Sequence, residues 1–569
     1  LNKTYDIKRP ETVAVYLRGN LKKGVGPQDV AIALCGAVFK NGFVKNKILE
    51  FIGPGIKNLS MDYRNGIDVM TTETACLSSI WETDEKTREY YKIHGREEDY
   101  KELKPADVAY YDSGIVINLS TIEPMIALPF HPSNAYTIRE LLEHPRELLG
   151  EVEEAGRKLR GDDNFTLTDK IRDDGVYVSQ GIIAGCAGGM YENIAEAYEI
   201  LKGKSTGADE FSLSIYPSSQ PVYKALADNG YVGGLMDAGA VVKTAFCGPC
   251  FGAGDVPANN GLSIRHTTRN FESREGSKPA AGQLAAVALM DARSIAATAA
   301  NGGKLTPATE VSYTKKVKKY FFDSQIYQNR VYHGAGKAHR EEELIYGPNI
   351  ADWPKMIPLG KNLLIKAVSV LHDPVTTTDE LIPSGETSSY RSNPLKLAEF
   401  ALSRKDPAYV GRAKAVKADE EVRRETGSLP EKVLKDVALL DIAKDTIYGS
   451  CVVAVKPGDG SAREQAASCQ RVLGGIANIA REYATKRYRS NLINWGMLPF
   501  TAEKLHFKVG DYIYIENIDR YIRDGAEKIP AKQLSGGNVK DIELSVGSLT
   551  QDEKNIILKG CLINFNAAR

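Results

Sequence analysis

The chain has 569 residues, of which 43% are hydrophobic and 26% charged, so we predict roughly three or four globular domains. Basic and acidic residues are equal in number, 73 each, which argues against a nucleic-acid binder but leaves room for a local basic pocket. No run approaches the roughly 18–20 apolar residues of a membrane span and no signal peptide opens the chain, so we expect a cytoplasmic protein.

Short apolar runs alternate with helical segments from the first residues onward, which predicts an α/β fold. TVAVYLRGNL is typical of a strand, DVAIALCGAVFKNGF of a buried helix ending at Gly42, and KILEFIGPGI of a second strand. Residues 84–106 are strongly charged and predict a surface helix. We assign residues 1–135 to a first core domain.

Residues 136–302 form the second predicted core domain and repeat a strand–turn–helix pattern. Its segments include QGIIAGCAGGMYENIAEAYEIL and AGAVVKTAFCGPCFGAG. Small polar turns therefore follow strands, at the sheet edge where α/β proteins bind ligands. Residues 303–355 have few apolar runs and predict a linker, and residues 356–569 predict a separate α/β domain.

Three of the eight cysteines lie on such turns. Cys247 and Cys250 form a C-x-x-C pair, and Cys186 lies in a glycine-rich turn 61 residues before Cys247. A thioredoxin-like redox pair and a structural zinc site are alternatives. The absence of a second C-x-x-C or a paired histidine disfavours zinc, and the intervening Gly-Pro disfavours the redox pair. The remaining cysteines predict buried packing positions: Cys35, Cys76, Cys451, Cys469 and Cys561.

Four motifs occur in a fixed order: GCAGGMYENI, FCGPCFGAGD, HTTRNFESREGSKP and GDGSAREQAA. Together they resemble the aconitase superfamily over essentially the whole chain, without its N-terminal domain segment. The resemblance implies aconitase-like three-layer α/β core domains, a linker and a C-terminal swivelling α/β domain. It also implies a hydro-lyase acting on a hydroxy-polycarboxylic acid such as citrate, isocitrate or a homologue.

The resemblance further implies a [4Fe–4S] cluster held by Cys186, Cys247 and Cys250. Most clusters take four cysteines, so three leave one iron open to act as a Lewis acid. In this family an acidic group lies near that iron, and Asp68 is the candidate. The first cluster motif departs from the family pattern, because Ala187–Met190 replace Thr-Asn-Ser-Ser.

The resemblance assigns substrate carboxylates to Arg269, Arg274, Arg391 and Arg463, since guanidinium groups suit carboxylates. Ser461 would be the catalytic base, and Arg463 beside it would lower the pKa of its hydroxyl. Closure of the swivelling domain would exclude water from the site.

Four further positions qualify this assignment. Ala462 replaces a serine of the family's loop, which weakens the expectation of citrate as substrate. Asp379 matches an acidic position of the last domain. We interpret His131, beside a proline, as structural. The absent N-terminal segment normally supplies histidine and aspartate groups, so we expect either a truncated chain, inactive alone, or a separate subunit that completes the site.

Two other functions stay open at this point. One is a non-enzymatic iron or redox sensor that binds RNA without its cluster; it predicts a salt-dependent RNA affinity. The other is a degenerate paralogue that binds a cluster without turnover.

For partners we expect a small polycarboxylate substrate and neither membrane nor nucleic acid, and we expect a monomer.

Overall fold

The computed structural model describes residues 7–383, 385 and 387–567. The chain divides into two compact units, which we call the core unit, Pro10–Arg340, and the barrel unit, Glu341 onward together with the described residues 7–9. Both combine strands with helices, which confirms the predicted α/β class. Among the described residues no helix is long and apolar enough to cross a lipid bilayer.

One parallel sheet, one larger mixed sheet and a separate two-stranded antiparallel pair form the core unit. Its strands are β1 Thr12–Arg18, β2 Ile48–Ile52, β3 Ser78–Trp81, β4 Ser113–Asn118, β5 Met125–Ala127, β6 Ala135–Thr137, β7 Ile171–Arg172, β8 Gly175–Val176, β9 Gln180–Ala184, β10 Ser212–Tyr216, β11 Val241–Val242, β12 Gly261–His266 and β13 Ala285–Met290. Its α-helices are α1 Pro27–Val38, α2 Met61–Met70, α3 Glu85–Ile93, α4 Ile138–Glu143, α5 Pro145–Arg160, α6 Gly185–Gly188, α7 Tyr191–Leu201, α8 Gln220–Asp228, α9 Tyr231–Asp237, α10 Ala292–Ala300 and α11 Gln325–Gln328.

The first sheet is parallel, with strand order β3-β2-β1-β4. The second has the order β11-β10-β9-β12-β13-β5-β6 and is parallel from β11 to β13. Every residue of β9, β12 and β13 is buried, as expected for central parallel strands covered on both faces. The carboxyl ends of the parallel strands therefore share one edge of the sheet.

Several predicted boundaries differ from the structure. Helix α1 ends at Val38 and not at Gly42, because a turn with left-handed Gly42 follows it. Only Glu85–Ile93 of the charged segment is α-helical, since left-handed Gly95 ends the regular backbone there. The proposed division at residue 135 stays a prediction; β5 and β6, which precede or span that boundary, belong to the second sheet.

The predicted linker has two parts. Leu305, Ala308 and Tyr313 are buried in the hydrophobic core of the core unit. Further along, Leu344 and Ile345 are exposed, at 84% and 88%. The observed boundary between the units, Arg340 to Glu341, lies within the predicted linker 303–355.

The two sheets of the core unit are connected by a buried ionic network around Arg293. Its guanidinium donates to both carboxylate oxygens of Glu196 (2.9 and 3.1 Å) and to Asp291 (2.8 Å). Asp291 in turn accepts from the backbone N–H of Gln28 in α1, at 3.2 Å. A Cβ at Gly26 would lie 2.2 Å from Asp291 Oδ2, so only glycine permits this approach.

The barrel unit is built around a closed barrel with strand order β14-β16-β18-β19-β22-β21-β20. Its strands are β14 Asn362–Leu371, β15 Thr376–Thr377, β16 Thr446–Ala454, β17 Pro457–Asp459, β18 Gly475–Ala480, β19 Leu498–Thr501, β20 Tyr512–Ile515, β21 Lys528–Ser535 and β22 Asn538–Ser545. Its α-helices are α12 Thr378–Leu381, α13 Pro394–Ala398, α14 Tyr409–Thr426, α15 Glu431–Asp436, α16 Arg463–Val472, α17 Lys486–Asn494, α18 Ile518–Asp524, α19 Gln551–Lys559 and α20 Leu562–Ala567.

Alternate residues of the barrel strands pack into different hydrophobic clusters. Leu363 and Ile365 of β14 belong to one cluster and Leu364 to another, as the two-residue period of a strand requires. Strands β15 and β17 form a separate parallel pair beside the barrel. This pair brings the loops that follow Thr377 and Asp459 together.

We predict that Arg293→Met destabilises the core unit by about 3–5 kcal/mol, because it leaves buried carboxylates without their cation. The free energy of unfolding of the core unit, obtained from the unfolding transition of that unit in chemical denaturant, measures the change. Arg139→Met is the matched control, since Arg139 and its partner Glu123 are 63% and 35% exposed and the pair contributes at most about 1 kcal/mol. Equal effects of the two substitutions would contradict this account.

Candidate functional site

The three predicted cluster cysteines lie at the shared carboxyl edge of the second sheet. Cys186 follows β9 in the short helix α6, and Cys247 and Cys250 follow β11 around a 3-10 turn at Gly248–Cys250. A Cβ at Gly185 would approach the Cys250 sulfur to 2.7 Å, which places the two turns against each other. The other five cysteines are buried, as predicted.

The thiols interact with one another electrostatically. A hydrogen bond with Cys247, followed by burial and the neighbouring thiols Cys247 and Cys186, raises the pKa of Cys250 well above its usual value. Burial and then Cys247 raise the pKa of Cys186. Arg269 and Arg274 act in the opposite direction, lowering the pKa values of Cys186 and Cys250 respectively. Two cations therefore lie near the thiols, although burial and the other thiols have the larger effect on the two pKa values.

Three thiols are the metal-ligating side chains that the sequence predicts at this edge. In the described part of the chain, no three His, Cys, Asp or Glu side chains are arranged to hold one metal ion. A cluster binds each cysteine through a different iron, so its thiolates lie further apart than the ligands of a single zinc. The three thiols interact pairwise across two turns, and the cluster that they would hold stays a prediction.

Arg265, near the end of β12, supports the C-x-x-C turn through hydrogen bonds to backbone carbonyl oxygens. Its fully buried guanidinium donates to the carbonyl oxygens of Pro249 (2.7 Å) and Asp255 (3.0 Å). It also donates to Ser263 Oγ and Gln180 Oε1, at 2.9 and 3.2 Å. Burial lowers the pKa of Arg265 to about 10, so the side chain stays charged at neutral pH. A fixed positive charge thus lies directly behind the turn.

Both arginines of the TTRNFESRE motif are near the cysteines. Arg274 donates through Nε to the Cys250 carbonyl oxygen at 2.7 Å. Arg269 pairs with the buried carboxylate of Glu73 at 2.5 Å and is only 11% exposed. Their roles as substrate ligands stay predictions, and a substrate carboxylate at Arg269 would share that guanidinium with Glu73.

Asp68 and His131 have protein partners. The Asp68 carboxylate accepts from Ser79 Oγ at 2.7 Å and from Trp81 Nε1 at 2.8 Å. His131 Nδ1 is 2.9 Å from Ser133 Oγ, and its ring stacks on Phe39. The predicted catalytic role of Asp68 stays a prediction, whereas the contacts of His131 are those of a packed residue.

The serine loop lies between β17 and α16 in the barrel unit. Ser461 is exposed, and Gly460 before it adopts φ +121°, which side chains rarely permit. The Ala462 N–H donates to Thr378 Oγ1 at 3.3 Å, which joins the serine loop to the N-terminus of α12. The loop therefore presents the Ser461 hydroxyl to solvent at the start of a ten-residue helix.

Three other predicted polar residues lie on helices of the barrel unit or just before one. Arg463 is the first residue of α16 and is buried, and Asp379 is buried in the first turn of α12. Arg391 is exposed and precedes α13, which packs on α16. The hydrogen bond between Ala462 and Thr378 brings the N-termini of α16 and α12 together, and the roles of the three side chains stay predictions.

The sequence analysis missed the residues that support the C-x-x-C turn. Arg265 was not predicted because it lies in strand β12, just before the HTTRNFESREGSKP motif. A charged residue in the otherwise buried run GLSIRH was the available signal, since a buried charge requires partners nearby. Gln180 and Asp255, which complete its contacts, carry no such signal.

Comparison with known proteins gives two family matches. Residues 1–297 match the aconitase family (aconitate hydratase), and residues 423–505 match the aconitase C-terminal domain. Among curated proteins, the chain is similar to the 3-isopropylmalate dehydratase large subunits of Caldicellulosiruptor bescii and Moorella thermoacetica. The identities are 32% over 270 residues (47% of this chain, 55% of the relative) and 31% over 306 residues (53% and 63%). The chain thus spans less than two thirds of these relatives.

Solved structures add little to these matches. A 3-isopropylmalate dehydratase of Methanocaldococcus jannaschii is 20% identical, with a TM-score of 0.24, over 37% of this chain and 95% of that one. Aconitase X of Thermococcus kodakaraensis is 12% identical, with a TM-score of 0.24, over 46% and 49% of the two chains. Likeness at this level carries no argument about function.

We predict that Arg265→Met loosens the cysteine turn, because the carbonyl oxygens of Pro249 and Asp255 lose a buried charged donor worth about 1.5–3 kcal/mol each. The alkylation rate of Cys250, followed by mass spectrometry on the metal-free protein, should rise. Arg172→Met is the control, since Arg172 is 57% exposed and its ion-pair partner is the exposed Glu210. An unchanged rate at Cys250 would mean that Arg265 does not hold the turn.

Proposed function

Because the chain belongs to the aconitase family, we propose that it is a hydro-lyase that removes water from, and adds water to, a hydroxy-polycarboxylic acid. The observation that carries the proposal is the convergence of Cys186, Cys247 and Cys250 at one sheet edge beside Arg269 and Arg274. Sulfur ligands and carboxylate-binding cations are the two requirements of this chemistry.

A [4Fe–4S] cluster held by the three cysteines would supply a Lewis-acidic iron for the departing hydroxyl. The chain's own residues would do the rest of the binding. Arg269 and Arg274 would hold carboxylates of the substrate through paired hydrogen bonds. Arg265 would keep the C-x-x-C turn in place and contribute a fixed positive charge.

Proton transfer is assigned to the barrel unit. Ser461 would remove the proton from the carbon next to a carboxylate, and it would return a proton there in the reverse reaction. Its position before α16 supports this role, because the N-terminus of a helix stabilises negative charge on a nearby oxygen. Arg463 would add a positive charge, and Arg391 would bind a further carboxylate.

The substrate is proposed at the level of its class. The named activity of the curated relatives favours a hydroxy-dicarboxylate such as 3-isopropylmalate over citrate. The replacement of a serine by Ala462 in the serine loop agrees, because it removes one hydroxyl that a more polar substrate would use. The regions matching the family and its C-terminal domain occur here in a single polypeptide. This supports a chain that carries both the cysteine turns and the serine loop.

We predict that anaerobic reconstitution with iron and sulfide gives about four iron atoms per chain and an EPR signal after mild oxidation removes one iron. Cys247→Ser should fail to retain the cluster, because it removes one of three thiolate ligands. Cys469→Ala is the matched control: it replaces a buried cysteine of the barrel unit and should leave the iron content unchanged. Zinc bound one per chain, or no cluster in any variant, would contradict the proposed cofactor.

We predict that Ser461→Ala lowers kcat by about 10²–10⁴-fold in the reconstituted protein without loss of iron, because it removes the proposed base. The assay follows formation of the unsaturated acid from 3-isopropylmalate, citrate and isocitrate in parallel. Ser428→Ala, an exposed-loop serine of the same unit, is the control. A protein that holds its cluster but converts none of the three acids would favour a sensor or a paralogue without turnover.

A further inference from the structure

A buried arginine in the barrel unit lacks an acidic partner. Arg471, in the last turn of α16, is only 6% exposed. Its guanidinium donates to the carbonyl oxygens of Ile357 (2.7 Å), Gly475 (3.2 Å) and Gly560 (3.2 Å). Its Nε has no hydrogen-bond partner, and among the described residues no carboxylate lies within ion-pair distance. A buried positive charge compensated only by dipoles favours the approach of an anion.

A cavity of about 220 Å³ opens beside this guanidinium. One stripe of α14 lines it with Lys417, Glu420, Glu421 and Arg424, which follow the three- and four-residue spacing of one helix face. Lys355 and Arg471 lie on other parts of the wall. The size suits a small ion or a compact organic acid, and too little room remains for a nucleotide.

The charges around the cavity do not cancel. Glu420 is already bound by Arg423, at 2.6 and 2.7 Å, and its carboxylate also accepts the Tyr448 N–H. Glu421 lies 4.0 Å from Lys417, at the limit of an ion pair. Lys355, Arg424 and Arg471 have no ion pair among the described residues. The apolar walls, including Met356 and Ile476, strengthen the positive potential by excluding water.

The cavity is distinct from the serine loop. Tyr448 and Ile476, which line it, lie near the starts of β16 and β18, whereas the serine loop follows the carboxyl ends of β16 and β17. Helix α16 connects the two places, with Arg463 at its first residue and Arg471 near its end. Eight residues of helix separate them by about 12 Å along the axis.

We propose that this cavity is a binding site for a small oxyanion, a phosphate or a carboxylate, separate from the proposed hydro-lyase site. The guanidinium of Arg471 supplies the fixed charge at the back of the site. Lys417 and Arg424, which line the same cavity, would supply two further cations to the ligand. Because the site does not involve the cysteines or Ser461, it does not depend on the proposed reaction.

Isothermal titration of the full chain with inorganic phosphate, and separately with citrate, at constant ionic strength tests the proposal. We expect saturable binding of at least one anion, weakened about tenfold or more in the double variant Lys417→Gln, Arg424→Gln, because two charge-assisted contacts are lost. Lys414→Gln is the matched control: it lies one turn earlier on α14, pairs with Glu399 and does not line the cavity. Its affinity should stay within about twofold of the wild type.

The preferred anion identifies the ligand: tighter phosphate points to a phosphate-bearing ligand and tighter citrate to a carboxylic acid, and either supports the site. The lining variants replace partly or fully exposed side chains, so the test does not rely on a substitution at Arg471 that loses three carbonyl contacts. Absence of saturable binding by both anions overturns the proposal. Equal affinity in the double variant also overturns it, because the anion then binds elsewhere, for instance at the arginines beside the cysteines.

Discussion

The fully buried Arg293 is the interaction on which the core unit depends. It forms ion pairs with Glu196 on α7 and with Asp291 after β13. Asp291 also accepts a hydrogen bond from the backbone N–H of Gln28 at the N-terminus of α1. A single buried charge is costly, but a complete set of partners offsets that cost. None of these groups is stable inside without the others, so the two sheets can pack only in the arrangement that assembles them all. The carboxyl edge of the second sheet, where the three cysteines lie, is positioned by this packing.

The cysteine edge uses a buried arginine in a different way. Arg265 binds backbone carbonyl oxygens and amide or hydroxyl oxygens, and the carboxylates of Glu275 and Asp255 act on its charge without a hydrogen bond to it among the described contacts. Three guanidinium groups, those of Arg265, Arg269 and Arg274, lie around the cysteine turns of a protein whose formal net charge is zero. Arg269 and Arg274 lower the pKa values of Cys186 and Cys250, although burial and the neighbouring thiols outweigh them and both pKa values stay raised. Guanidinium groups also attract polycarboxylates. The absence of a global basic excess therefore says nothing against an anion-binding function.

Local sequence patterns predicted many of the strands and the positions of the candidate site residues. Contacts between residues that are far apart in the chain were not predicted. The runs TVAVYLRGNL and KILEFIGPGI predict strands because apolar side chains recur at every second residue, and β1 and β2 are buried in that alternation. The ordered motifs identified the cysteine turns and the serine loop. No pattern links Gly26, Glu196 and Arg293, which are far apart in the chain and meet only once both sheets exist. The packing of Tyr313 was missed for the same reason, since the residues around it are polar.

Three buried arginines differ in what compensates them, and the difference indicates what each does. Arg293 is paired with carboxylates, so it has no remaining charge to offer and acts in packing. Arg265 and Arg471 bind backbone carbonyl oxygens, which stabilise a guanidinium without cancelling its field. A chain that only needed to fill space at these positions would be better served by apolar side chains of similar volume. Arginines held in this way are expected where an anion binds, and each of the two lies where we propose one: Arg265 behind the cysteine turn and Arg471 against a cavity with further cations.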